Sequence, residues 1–161
     1  IRSITINDVE VNEEYLLSNN INMSKIETIK FTTRPINDLI RSTLLETKDY
    51  LPRLKKGIEE TSDLLRNGAL EQANNNFQLI LEGISWYTSV LEKVSSLTKE
   101  KLISDSEEEL ILEFNKVLNE LLDSYKSSDY ILMADILEYE VEHYITEFIN
   151  LNNQLLSNFE S

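Results

Sequence analysis

Glu140-x-x-His143 sets a carboxylate three positions before the only imidazole in the chain, and on a helix that spacing brings two side chains onto neighbouring turns of one face. Carboxylate-bridged di-iron bundles use this spacing, but they also need a second Glu-x-x-His and further glutamates turned into the core. Here there is one histidine, and Glu140 falls off the apolar stripe of its segment. An exposed mid-helix histidine also suits phosphotransfer, yet Glu140, Glu142 and Glu147 beside His143 would repel an incoming phosphoryl group. Asp135, Glu138 and Glu142, at i, i+3 and i+7, gather three carboxylates along one helix. A divalent cation can use such oxygens, although hard ions normally draw more ligands from a turning loop. A solvated or salt-bridged face is the commoner outcome of that pattern. Three glycines in the whole chain leave little room for a phosphate cradle, and no serine nucleophile stands paired with a base. These residues imply no enzyme, no cofactor and no metal site. They leave Asp135, Glu138 and Glu142 as candidates for contact with a protein.

The charge balance narrows the partner. With 29 acidic against 15 basic residues and a net charge of −14, the chain is repelled at long range by nucleic acid and by anionic membranes. A protein partner presenting a basic surface or a helical segment fits better. The absence of cysteine removes disulfides and thiolate metal sites and suits a reducing cytosol. No apolar run approaches the roughly 18 residues that mark a membrane span. A cytoplasmic location is therefore expected.

The elements that would position these residues are mainly helical. At 161 residues and 41% hydrophobic content the chain can bury one sizeable core. Tyr130, Ala134, Leu137, Val141, Tyr144, Phe148, Leu151 and Leu155 step 4, 3, 4, 3, 4, 3, 4 and predict one face of a long last helix ending near Ser157. Ser127-Ser128-Asp129 supplies its cap. Pro35 opens a first helix, whose core face is Ile36, Ile40, Thr43, Thr47, Leu51, Leu54, Ile58, Thr61 and Leu65. Pro52 lies inside it, so a kink or short break is expected near 49–51. Asn67-Gly68 ends it. A second helix carries Leu70, Ala73, Phe77, Ile80, Ile84, Tyr87, Leu91 and Val94, with Leu79, Gly83, Trp86 and Val90 widening its buried face. Gly83 in mid-helix suggests that something approaches closely there. Ser104 with Glu107 forms a capping box for a third helix, with Leu110, Phe114, Val117 or Leu118, Leu121 and Tyr125 facing the core.

Before the helices, Ile4-Thr5-Ile6 and Val9-Glu10-Val11 alternate in polarity across Asn7-Asp8, the signature of a two-residue hairpin in which Ile6 faces Val9 and Ile4 faces Val11. Residues 27–33 are a third extended candidate, with Ile29 and Phe31 on one side. The fold class expected is mainly α: an antiparallel up-down four-helix bundle over 35–161, its first helix kinked near Pro52, with a small β-hairpin or three-stranded element over 1–34 packed on it in one domain. Residues 127–161 hold seven acids and no lysine or arginine. The first helix carries Arg41, Lys48, Arg53, Lys55 and Lys56. In an up-down bundle these helices are neighbours, so the charges either pair across the seam or leave an acidic docking face.

Thr33-Arg34-Pro35 followed by Leu39-Ile40, and then Tyr50-Leu51-Pro52-Arg53-Leu54-Lys55-Lys56-Gly57-Ile58-Glu59-Glu60, resemble the opening helix of the flagellin export chaperones. The tract from Ser127 to Glu142 resembles their last helix, and Ala134-Asp135-Ile136-Leu137-Glu138-Tyr139-Glu140 resembles uncharacterised helical proteins of low-GC Gram-positive bacteria. The resemblance implies a bacterial, acidic helical bundle that holds a partner helix along an apolar groove. The expected function is thus a nonenzymatic protein-binding module of chaperone or adaptor type, with Trp86, Asp135, Glu138 and Glu142 as candidate partner-binding residues. A self-associating structural protein, whose strands or stripes pair between copies, is the alternative. A metal or phosphotransfer role for His143 comes third.

Overall fold

A computed structural model describes residues 3–12, 15, 25–98 and 104–159. The chain divides into two compact units, Ile1–Leu39 and Ile40–Ser161. The division falls one turn inside the first helix rather than at residue 34, because Ile36 and Leu39 are exposed and the apolar core starts at Ile40.

The first unit is built on a three-stranded antiparallel sheet of order β2-β1-β3, with β1 at Ser3–Ile6, β2 at Val9–Val11 and β3 at Ile29–Thr32. Asn7 and Asp8 both take positive φ, at 49° and 63°, as a type I′ turn requires. The register pairs Ile6 with Val9 and Ile4 with Val11, as the alternation predicts. On the other side of β1, Ile4 pairs with Phe31 and Ile6 with Ile29. Directly opposed residues share a face, so six apolar side chains lie together and Ser3, Thr5, Glu10, Lys30 and Thr32 occupy the reverse. Asn7 also ties the turn to the strand that follows, accepting at Oδ1 from the Glu27 and Thr28 amides and donating from Nδ2 to the Lys25 carbonyl.

Four long helices are present among the described residues: α1 (Ile36–Arg66), α2 (Leu70–Leu97), α3 (Asp105–Lys126) and α4 (130–157). Their order of contact is that of an up-down bundle. Tyr50 of α1 meets Trp86 of α2, Phe77 of α2 meets Tyr125 of α3, and Phe114 of α3 meets Phe148 of α4. α4 then runs back along α1. Asn152 Nδ2 donates to the Leu44 carbonyl at 3.0 Å, Lys55 reaches Thr146 and Glu142, and Arg66 reaches Asp135, so rising numbers on one helix meet falling numbers on the other.

Helix ends follow local chemistry. Gly68 sits at φ 74°; its amide donates to Leu65 and that of Ala69 to Leu64, a Schellman closure. The turn after α3 repeats it with Ser128 at φ 58°, its amide donating to Tyr125 and that of Asp129 to Ser124. Asp129 then caps α4 by accepting from the Leu132 amide. The Ser104 amide donates to Glu107 at the start of α3, the return half of the capping box.

Two expectations change and one narrows: of the kink or short break expected at Pro52, α1 shows no break. Pro52 and Lys48 are exposed positions, a side on which a carbonyl deprived of its amide donor can turn to water, while buried Leu51, Leu54 and Ile58 hold the helix through. The second stripe of α2 is only half buried: Gly83 and Val90 are covered, but Leu79 is 62% exposed and Trp86 39%. The last helix is not uniform. It is α over Tyr130–Asp135, widens to π over Ile136–Val141, and returns to α over Glu142–Ser157. A π turn accommodates one extra residue in the ladder. Beyond it Phe148, Leu151 and Leu155 are buried as the stripe predicts, Ile145, Asn152 and Leu156 are buried beside them, and Tyr144 moves to the core margin. No helix among the described residues is long and apolar enough to cross a membrane.

Candidate functional site

Trp86 and Tyr87 are consecutive on α2 and so point about 100° apart. Tyr87 is buried and donates its hydroxyl to the Phe148 carbonyl at 3.1 Å; burial, and secondarily the Glu107 charge, push the phenol well above its ordinary range. Trp86 turns the other way, toward α1. Its ring meets Tyr50 edge-on at 4.9 Å, and the Arg53 guanidinium lies 5.8 Å from the Tyr50 ring centroid. Arg53 is steadied by donating from Nε to the Asp49 carbonyl at 3.1 Å.

Gly83, one turn before Trp86, explains how Tyr50 gets there. The Tyr50 hydroxyl occupies the space a β-carbon at residue 83 would need, and Leu54 Cδ1 closes the same gap at 3.0 Å. The close approach expected at Gly83 is made by another helix. With Leu79 one turn further back, α2 thus shows solvent an apolar strip around a fixed aromatic pair backed by a cation. Tyr50 and Arg53 were not among the candidates from sequence. Their i, i+3 spacing on α1 was visible, but not which residues of α2 would face them.

The three acidic candidates are at the other flank of α1. Arg66 holds Asp135 through a 2.8 Å contact and Glu138 through a second hydrogen bond, and both carboxylates raise the guanidinium pKa, keeping it charged. Its guanidinium carbon also lies 6.0 Å from the Tyr139 ring centroid. Glu142 pairs with Lys55 at 3.2 Å, and Lys55 donates as well to Thr146. Of the two outcomes open for this face, pairing across the seam is the one found for Asp135, Glu138 and Glu142. Trp86 and the carboxylates meet different partners on α1 and do not form one site.

His143 is exposed, with its ring beside Tyr144. Among the described residues no group of three or more His, Asp or Glu side chains is arranged to hold a metal ion.

No curated protein and no solved structure matches the chain. A family model does match, over residues 42–159, which takes in most of α1 and all of α2, α3 and α4. The chain belongs to the family described as a domain of unknown function, DUF8042.

Proposed function

We propose that this chain is a nonenzymatic protein-binding module, a chaperone or adaptor of the secretion type that holds a helical segment of its partner against the Leu79–Trp86 strip of α2. The observation that carries this is the half-exposed Trp86 ring fixed edge-on to Tyr50 beneath Arg53. Trp, Tyr and Arg are the residues that most often dominate binding energy at interfaces, and a ring already held in place loses little freedom on binding. A helical partner segment is favoured over a purely basic one, because Asp135, Glu138 and Glu142 already neutralise Arg66 and Lys55. A photo-crosslinking amino acid at position 79 should capture one discrete protein in cells, and Trp86→Ala should abolish that capture with the helical circular dichroism intact. Equal capture by the Trp86→Ala chain would count decisively against the strip.

A second reading rests on a separate feature. The sheet gathers Ile4, Ile6, Val9, Val11, Ile29 and Phe31 on one face, with Val9 64% and Phe31 59% exposed. Apolar sheet faces of this kind pair between copies, which favours self-association. Light scattering should then report a dimer that Val9→Thr with Phe31→Thr returns to monomer; a wild-type monomer at all micromolar concentrations would sink it.

A further inference from the structure

Gly57 lies inside α1, where glycine costs a helix stability relative to alanine. At Gly83 a close neighbour accounts for the glycine, since Tyr50 and Leu54 fill the space in front of it. At Gly57 none does: among the described residues nothing stands within 4 Å of where its β-carbon would be. Gly57 follows Tyr50 by seven positions and Leu54 by three, so it looks out on the same side of α1. The two helices run antiparallel. One turn beyond Leu54 is Gly57, and one turn before Gly83 is Leu79, so these two stand at one level of the α1–α2 seam. The bare backbone of Gly57 therefore opens a notch beside the exposed Leu79, at the opposite end of the strip from Trp86.

Arg53, one turn before Gly57, borders this notch. On α1 from Tyr50 to Arg66 the other cations are paired: Lys55 with Glu142, Lys56 with Glu60, and Arg66 with Asp135 and Glu138. Arg53 forms no ion pair with a described residue. Its Nε is spent on the Asp49 carbonyl, and its exposed Nη groups form the planar fork that suits a carboxylate. The geometry points to a partner helix of defined chemistry, with an aliphatic side chain set between Gly57 and Leu79 and a glutamate one turn away paired with Arg53. This rests on the reading of the Leu79–Trp86 strip as a docking site and specifies what docks there. Arg53 and Gly57 are four positions apart, so a helix laid along the seam meets both with residues of its own i, i+4 spacing. On a chain of net charge −14 that carboxylate is chosen at contact rather than steered from a distance, because exposed charges are screened beyond about 8 Å.

Trp86 is the only tryptophan in the chain, so its emission reports on the strip directly. The probes are three synthetic helical peptides free of tryptophan and tyrosine, built on one leucine–alanine–glutamine host. They differ at a single position, one turn from a leucine, that holds Glu, Gln or Lys. Titrated into the full chain, the Glu peptide should shift Trp86 emission to the blue and saturate. It should bind roughly fivefold tighter than the Gln peptide, the upper end for an exposed ion pair, with the Lys peptide weakest. Arg53→Gln should erase the Glu preference and leave the Gln peptide unaffected. Gly57→Leu should weaken all three peptides about tenfold by overfilling the contact, and Gly57→Ala should weaken them less, with helical circular dichroism retained. Equal binding of the three peptides, a Glu preference that survives Arg53→Gln, or wild-type affinity in both Gly57 variants would each overturn this proposal while leaving the strip as a docking site. No shift of Trp86 emission with any peptide would overturn both.

Discussion

The Tyr50 hydroxyl fills the space in front of Gly83 that any side chain there would need. That contact sets how closely α1 and α2 approach and, through it, where the Trp86 ring stands.

Gly83→Ala should therefore destabilise the bundle by about 1–3 kcal/mol, the usual cost of overpacking, although alanine is the better helix former. Gly57, on α1, has open space where a β-carbon would stand, with nothing within 4 Å, so Gly57→Ala should stabilise by about 0.5–1 kcal/mol. Urea denaturation of the two variants should move in opposite directions. Tyr50→Phe, which removes the hydroxyl, should recover part of the loss in Gly83→Ala.

Ser128 holds the left-handed position that glycine fills at residue 68. A residue with a β-carbon is strained there, so Ser128→Gly should raise stability by roughly 0.5–1 kcal/mol. A fall in the denaturation midpoint would show that the Ser128 side chain contributes more to this turn than its backbone costs.

Arg66 is shared by Asp135 and Glu138. Arg66→Gln leaves two carboxylates facing each other at the α1–α4 seam, and the melting temperature should drop. Because exposed charges are screened by salt, the gap to wild type should narrow between low salt and about 1 M salt, where the Debye length is near 3 Å. A salt-independent gap would assign the loss to packing.

Tyr87 keeps its proton more firmly when folded than when unfolded, chiefly because it is buried. A folded-state pKa above the unfolded one gives stability that is complete below the unfolded value and is lost as pH rises beyond it, here above about pH 10. Tyr87→Phe should cost about 0.5–1.5 kcal/mol at pH 8 through the hydrogen bond to Phe148. Its penalty should shrink or reverse between pH 10 and 11. Parallel pH curves for the two chains would contradict this.

Much of this architecture is legible in residue order, for local reasons. The hairpin register follows from alternation across Asn7-Asp8, and the helix ends from Gly68, Glu107 and Asp129, each of which acts within a few residues of itself. The seam between α1 and α4 was legible as opposite charge, though not that Arg66 would take two carboxylates. What stayed hidden depends on neighbours. A constant helical period assigns Leu79 and Trp86 to the core, whereas the packed bundle leaves Leu79 exposed and Trp86 only partly covered, by Tyr50 of α1. The same assumption puts Tyr144 on the inner face and overlooks Ile145 and Asn152, because no glycine or proline marks the π turn.

The π turn also bears on how this helix tolerates a change of length. It carries one residue more than an α-helix of the same rise would, so a single deletion inside Ile136–Val141 removes the surplus and leaves both flanking stretches facing as they do now. Deleting Glu140 should yield a folded chain with an all-α last helix and its aromatic contacts to α3 kept. A single deletion at the centre of α2 has no surplus to draw on; it would turn everything after it by about 100° and unfold the bundle, a contrast that thermal melts of the two deletions would display. Within this family, length variation of one residue is expected to collect at this turn.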